Sequence, residues 1–203
     1  MMRFRTVLLF GAPGSGKGTQ GKILAAQPGF RHVACGDVFR ALDKQSPMGQ
    51  AFAKFAAGGG LVPDSLTVEL WQQSMQAMVA NGQLNPAQDI LLLDGIPRTV
   101  EQAALMAQRI DVVAIIHLYV NDVAQIVARL QARAAKENRA DDTDIEVIRH
   151  RLDVYEEQTR PVLEFYPRAK VFRVNATQTP EEVAADIMKV LAPLRPSLPG
   201  TAN

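Results

Sequence analysis

The run Gly11-Ala12-Pro13-Gly14-Ser15-Gly16-Lys17-Gly18-Thr19 has the chemistry of a phosphate cradle. Glycines let the backbone curl until consecutive N–H groups point inward. A helix opening behind the loop adds about half a positive charge. Lys17 supplies a full charge for the β- and γ-phosphates of a nucleotide. The general pattern G-x-x-x-x-G-K-[ST] is missed at its last position, where Gly18 stands and Thr19 follows. Asp94 closes the apolar run Ile90–Leu93, and open α/β sheets bind ligands at the carboxyl ends of such strands. Arg129 and Arg133 stand i,i+4 on one helix face, and guanidinium forks match phosphate geometry.

Residues of these types suit phosphoryl transfer, which is mostly positioning and charge stabilisation. An acceptor that is itself a phosphate would be anionic already and need no general base, so the lack of a Ser-His triad is compatible with such a transfer. His32, His117 and His150 share no metal-ligand spacing. His117 lies in an apolar strand and reads as a hydrogen-bonded core residue. Trp71, Met75 and Met78 recur at helical spacing and read as packing.

These groups need a scaffold. Five short apolar runs read as strands: Thr6–Phe10, His32–Ala34, Ile90–Leu93, Val113–Val120 and Val171–Val174. Helical stretches alternate with them, which predicts a five-stranded parallel sheet covered on both faces. The spacing predicts helices over Thr19–Gln27, over Asp64–Ala80 with Asp64 as cap and Asn81-Gly82 as stop, and from an Asp122 cap to about Asn138. A long charged helix is expected over Thr143–Phe165, kinked or divided by Pro161. Thr179-Pro180-Glu181-Glu182 is a strong helix start. More than fifty residues, Gly36 to Asp89, separate the second and third strands, far more than a crossover needs. An inserted helical subdomain is expected there, with Gly58–Gly60 as a hinge or a close backbone approach. The tail after Pro193 is expected to be disordered.

Composition bounds the rest. The 203 residues carry 22 basic and 21 acidic side chains, a net charge of +1, which argues against bulk polyanion binding. With a single cysteine, Cys35, no intramolecular disulfide or four-cysteine zinc site can form. The longest apolar runs, Val7–Phe10 and Val112–Ile116, fall far short of a membrane span. The N-terminus lacks the apolar core and cleavage site of a signal peptide, so a cytoplasmic protein is expected.

The G-x-P-G-x-G-K-G-T form of the loop resembles the adenylate kinase family of nucleoside monophosphate kinases. Further segments resemble that family in the same order: Gly36-Asp37-Val38-Phe39-Arg40, Leu61-Val62-Pro63-Asp64, Asp94-Gly95-Ile96-Pro97-Arg98-Thr99, and Arg139-Ala140-Asp141-Asp142 with Arg151 beyond. Arg151 is preferred to Arg149 because Arg151-Leu152 followed by Tyr155 fits the family pattern. The resemblance implies a P-loop NTPase fold with a core of residues about 1–35, 64–133 and 147–193, a monophosphate-binding insertion at about 36–63, a short lid at about 134–146 and a tail at about 194–203.

It also implies reversible transfer between ATP and AMP, giving ADP. Lys17, Arg98, Arg133, Arg139 and Arg151 would be catalytic. Gly14, Ser15, Gly16, Gly18, Thr19, Arg129 and Gln178, with Lys17 and Arg133, would hold ATP. Cys35, Arg40, Leu61, Val62, Gly95 and Gln102, with Arg98, Arg139 and Arg151, would hold AMP. Magnesium would accompany ATP, oriented by Asp94 through water, with Thr19 a further candidate and zinc absent. The Ile96–Pro97 bond would be cis. A monomer is expected, with no nucleic-acid or membrane partner.

The family usually has Ser-Thr where Ala34-Cys35 stand, so hydroxyls near the acceptor are lost. Gly60 replaces a longer polar residue. Gln102 lies i+4 from Arg98, on the same turn as a helix begins. Its amide complements adenine's Watson–Crick edge. Pyrimidine-specific relatives typically carry Asn there and Asn in place of Thr99. A UMP/CMP-type kinase and a catalytically weak nucleotide sensor are the alternative readings.

Overall fold

A computed structural model describes residues 3–43, 45–46, 49–50, 53–55, 60–137 and 142–194. Five strands form one parallel sheet in the order β2-β3-β1-β4-β5. They are β1 (Phe4–Phe10), β2 (Phe30–Ala34), β3 (Ile90–Asp94), β4 (Ile110–Tyr119) and β5 (Val171–Asn175). The principal α-helices are α1 (Lys17–Ala25), α2 (Cys35–Arg40), α3 (Asp64–Ala80), α4 (Val100–Met106), α5 (Val123–Glu137), α6 (Ile145–Val154), α7 (Val162–Phe165) and α8 (Pro180–Leu191).

The unbroken apolar runs of β1 and β3 follow from burial on both faces. Successive side chains alternate. Leu8, Phe10, Leu91 and Leu93 face a core built with Trp71 and Met75 of α3, Ala103 and Met106 of α4 and Val162 of α7. Val7, Leu9, Ile90 and Leu92 face the opposite core, with Leu24 of α1 and Val183, Ile187 and Leu191 of α8. The Trp71 and Met75 side chains are packing residues, as their spacing implies, and Met78 packs at the margin of that core.

Several boundaries differ from the sequence expectation. β4 starts at Ile110, because Phe4 pairs with Ile110 and Arg5 with Asp111 at the sheet's end; the charged pair breaks the apolar pattern without breaking the ladder. α1 starts two residues early, at Lys17, with Gly16 at φ 97° as its N-cap. Asp64 does not cap α3. Pro63 holds the cap position, and the Asp64 carboxylate instead accepts from Thr99 and Gln102. The stretch Thr143–Phe165, expected to be kinked or divided by Pro161, is divided into α6, a π-turn at Tyr155–Thr159, and α7. Arg160 N donates to Tyr155 O at 2.8 Å, so the ladder widens just before Pro161. A proline ring would otherwise strike the carbonyl one turn earlier.

Other starts and stops match. Asp122 Oδ1 accepts from Ala124 N at 2.8 Å at the head of α5. Thr179 and Glu182 form a reciprocal capping box on α8. The Ile96–Pro97 bond is cis. Gly58, Gly59, Arg139 and residues 195–203 lie outside the described residues. Among the described residues no helix is long and apolar enough to cross a membrane.

Candidate active site

The loop between β1 and α1 is wound as its glycines require. Gly14 has φ 79°, and a Cβ there would lie 3.1 Å from Ile126 and Leu130 of α5. The loop therefore closes directly onto α5, which carries Arg129 and Arg133. Lys17 Nζ donates to the carbonyls of Gly11 and Ala12 at 2.7 and 3.0 Å. Burial is the largest influence on Lys17 and brings its pKa down to about 8; Asp94 opposes that shift, and Arg98, Arg133 and Arg151 add to it. Ser15 Oγ is buried without a hydrogen-bond partner among the described residues. A cationic amine and an unpaired buried hydroxyl in one loop suit an anion.

Asp94 ends β3 beside this loop. In the sheet register Ala34 pairs with Asp94, so β2 and β3 end together. His32 Nε2 lies 3.9 Å from Asp94 Oδ2, an electrostatic contact too long for a hydrogen bond. Burial alone would push the Asp94 carboxyl up. The His32 ring, Lys17 and Arg98 outweigh it and hold the group below the usual carboxylate range. The His32 ring in turn lies against Gly21 of α1, where any Cβ would collide with it. Beside the loop, Asp94 offers a carboxylate and Thr19 an exposed hydroxyl. That set fits a hard ion that keeps most of its waters and leans on substrate phosphates.

A cleft of about 880 Å³ joins these groups across the carboxyl ends of the strands. The loop residues Gly14, Ser15, Gly16, Lys17, Gly18 and Thr19 all line it. Arg40, Leu61, Gly95 and Arg98 line the β2–β3 side. Arg129, Arg133, Arg151 and Gln178 line the side toward α5 and α8. Arg129 donates to Ala176 O at 2.8 Å, and Gln178 Nε2 to Asn175 O at 3.1 Å. Arg40 pairs with Asp37, and Arg98 Nε donates to Gly95 O at 3.0 Å. Arg149 instead points to solvent, 66% exposed, beside Glu146.

Cys35, Val62 and Gln102 are not among the residues that line the cleft; Cys35 and Gln102 are buried and Val62 is half-buried. Burial pushes the Cys35 thiol up to about 12, so it is a neutral, small apolar group. Gln102 is 2% exposed. Arg98 precedes α4 rather than sharing its turn, since Thr99 is the cap. The Gln102 side chain nevertheless folds back, and its Oε1 accepts from Arg98 N at 2.7 Å.

Three participants carry little sequence signal. His32 sits on the outer strand β2, and only the register with β3 reveals its neighbour. Asp142 is fully buried and accepts from both Arg133 and Arg151; the Asp141-Asp142 pair was the available clue. Tyr155, also on the cleft wall, has its hydroxyl 3.2 Å from His117 Nε2, which gives His117 the hydrogen bond its strand position calls for.

The phosphate loop facing an arginine-lined cleft agrees with a sequence match. A sequence model of the adenylate kinase family covers residues 9–171. The chain belongs to the adenylate kinase family. It is 38% identical over 198 residues to the adenylate kinase of Porphyromonas gingivalis, spanning 93% of this chain and 96% of that one. It is 39% identical over 193 residues to the adenylate kinase of Maricaulis maris, spanning 91% and 97%. The adenylate kinase of Kocuria rhizophila is 36% identical over 191 residues, with 91% and 97% covered. The five-stranded parallel sheet with helices on both faces is the fold expected for this family, whose members are phosphotransferases.

Proposed function

We propose that this adenylate kinase family member transfers the γ-phosphoryl group of ATP to AMP, reversibly, giving two molecules of ADP. The observation that supports this best is one cleft lined together by the phosphate loop, by Arg40 and Arg98, and by Arg133 and Arg151. Such a cleft holds two phosphate chains end to end. ATP lies with its phosphates on the Gly14–Thr19 loop, with Arg129 and Gln178 beyond. AMP lies between Arg40, Leu61, Gly95 and Arg98, with Gln102 reading the Watson–Crick edge of its adenine and Cys35 and Val62 beside it.

A phosphate oxygen of AMP attacks the γ-phosphorus, and the bond to the β,γ-bridging oxygen breaks on the opposite side. No proton moves, because the attacking oxygen is anionic. Lys17 leaves the Gly11 and Ala12 carbonyls for the β- and γ-phosphates. Arg98, Arg133 and Arg151, with Arg139, offset the charge that spreads over the transferring group. Asp94, through water, and Thr19 would hold magnesium with ATP, and the ion would supply positive charge to the phosphate oxygens. Residues about 36–63 serve as the monophosphate-binding insertion and about 134–146 as a short lid without zinc. The protein acts as a cytoplasmic monomer.

A coupled assay of ATP with AMP, GMP, UMP and CMP tests the reading. AMP is the expected acceptor. Equal use of CMP or UMP overturns the acceptor assignment, and no transfer to any monophosphate overturns the reaction.

A further inference from the structure

Gln102 Nε2 donates to Asp64 Oδ1 at 2.8 Å. Gln102 Oε1 accepts from Arg98 N at 2.7 Å. The second oxygen of Asp64 accepts from Thr99 Oγ1 at 2.9 Å, and that same hydroxyl accepts from Gln102 N at 3.0 Å. A carboxylate only accepts and a backbone N–H only donates. The two ends of the amide are therefore assigned by chemistry: nitrogen toward Asp64 and oxygen toward Arg98.

We infer that Asp64 is a specificity-determining positioning residue, which fixes the polarity of the Gln102 amide and so selects adenine over guanine. This rests on the reading that Gln102 recognises the acceptor base.

A glutamine amide is ambidextrous when free. In one orientation it gives a donor to adenine N1 and an acceptor for the N6 amino group. Flipped, it gives an acceptor for guanine N1–H and a donor to O6. Asp64 and Arg98 bind different atoms of the amide and leave each atom a further hydrogen or lone pair. A flip would set Oε1 against the Asp64 carboxylate and the amide N–H groups against Arg98 N–H. Both contacts would be repulsive in a buried site. The guanine-reading orientation is thus excluded by a residue at the head of α3, outside the cleft wall. Thr99 completes the brace, holding the carboxylate while capping α4. Sites that pair a base's polar edge discriminate strongly, because a mismatched base leaves buried groups unpaired.

The test is the ratio of kcat/KM for AMP to that for GMP, measured in wild type, Asp64→Asn, Thr99→Val and Gln102→Ala, with thermal unfolding as a control for folding. Asp64→Asn keeps the shape but lets the side chain present either an N–H or an oxygen to Gln102. The ratio should fall about tenfold or more, with the loss for AMP in KM rather than kcat and a gain for GMP. Thr99→Val removes one leg of the brace and should give a smaller fall in the same direction. If Asp64→Asn does not fold, Thr99→Val carries the decision. A folded brace variant that loses activity toward both nucleotides equally overturns the inference, since that is what a merely structural role produces. Gln102→Ala separates the two readings. A collapsed ratio there with an unchanged ratio in both brace variants overturns this inference alone. An unchanged ratio in Gln102→Ala overturns the base-reading role as well.

Discussion

Arg133 and Arg151 donate to opposite oxygens of one carboxylate, that of the completely buried Asp142. The arginines come from different helices, α5 and α6, so Asp142 ties those helices together at the cleft. Removing one member of such a group leaves charge without its partner. Asp142→Ala should lower stability by about 1–3 kcal/mol and kcat by about tenfold, as the two guanidinium groups lose their shared anchor. Thermal unfolding and steady-state kinetics on the same preparation check this. Full kcat in a destabilised variant would confine Asp142 to folding.

Lys17 is the charge the phosphate loop is built around. Lys17→Met keeps the stem and deletes the charge, so kcat should fall by about two orders of magnitude or more, as when other preorganised donors are removed. The unfolding temperature should change little, because Lys17 is a half-buried side chain that lines the cleft and is not part of the core. A pH profile adds a second check. Lys17 has a folded pKa of about 8 against 10.5 for the free side chain. Its burial therefore costs stability below pH 8, and that cost fades as pH rises from about 8 toward 10.5. Activity runs the other way. The kcat/KM for ATP should fall as pH rises through about 8, since that parameter reports the free protein.

Asp94 raises the Lys17 pKa, so the two residues can be tested against each other. In Asp94→Asn the alkaline limb of the ATP kcat/KM profile should move to lower pH. The magnesium concentration giving half-maximal rate should rise as well. An unmoved limb would place the alkaline titration on some other group.

Gly21 and His32 form a steric pair. Gly21→Ala gains about 1 kcal/mol of helix propensity but drives a methyl into the imidazole, at a cost of about 1–3 kcal/mol. The net effect should be destabilising. In a His32→Ala background the collision is gone, and Gly21→Ala should become neutral or stabilising. A double-mutant cycle by chemical denaturation measures the coupling; additive effects would disprove the contact.

Much of the fold was legible because short-range patterns carry it. The runs Val7–Phe10 and Ile90–Leu93 announce strands buried on both faces, and Thr179-Pro180-Glu181-Glu182 announces a helix start. Misreadings arose where a residue answers to a distant partner. Asp64 has the type and place of a helix cap, yet it serves Thr99 and Gln102, 35 and 38 residues further on. The apolar pattern starts a strand at Val113, yet β4 begins at Ile110, where the sheet register sets Asp111 opposite Arg5.

The phosphate loop, the arginine set and Asp94 are properties of the sequence itself, because their chemistry depends on residue type and on spacing within one turn or one strand end. The tertiary structure alone decided which of those groups meet. Parallel register aligns Ala34 with Asp94 and brings the His32 ring within 3.9 Å of its carboxylate. A buried Asp142 gathers Arg133 and Arg151 and leaves Arg149 in solvent. Helix and strand periodicities say which way a side chain points from its own element. They carry no information about which charge another element delivers to the same buried space, where an unpaired group is costly and partners must be found.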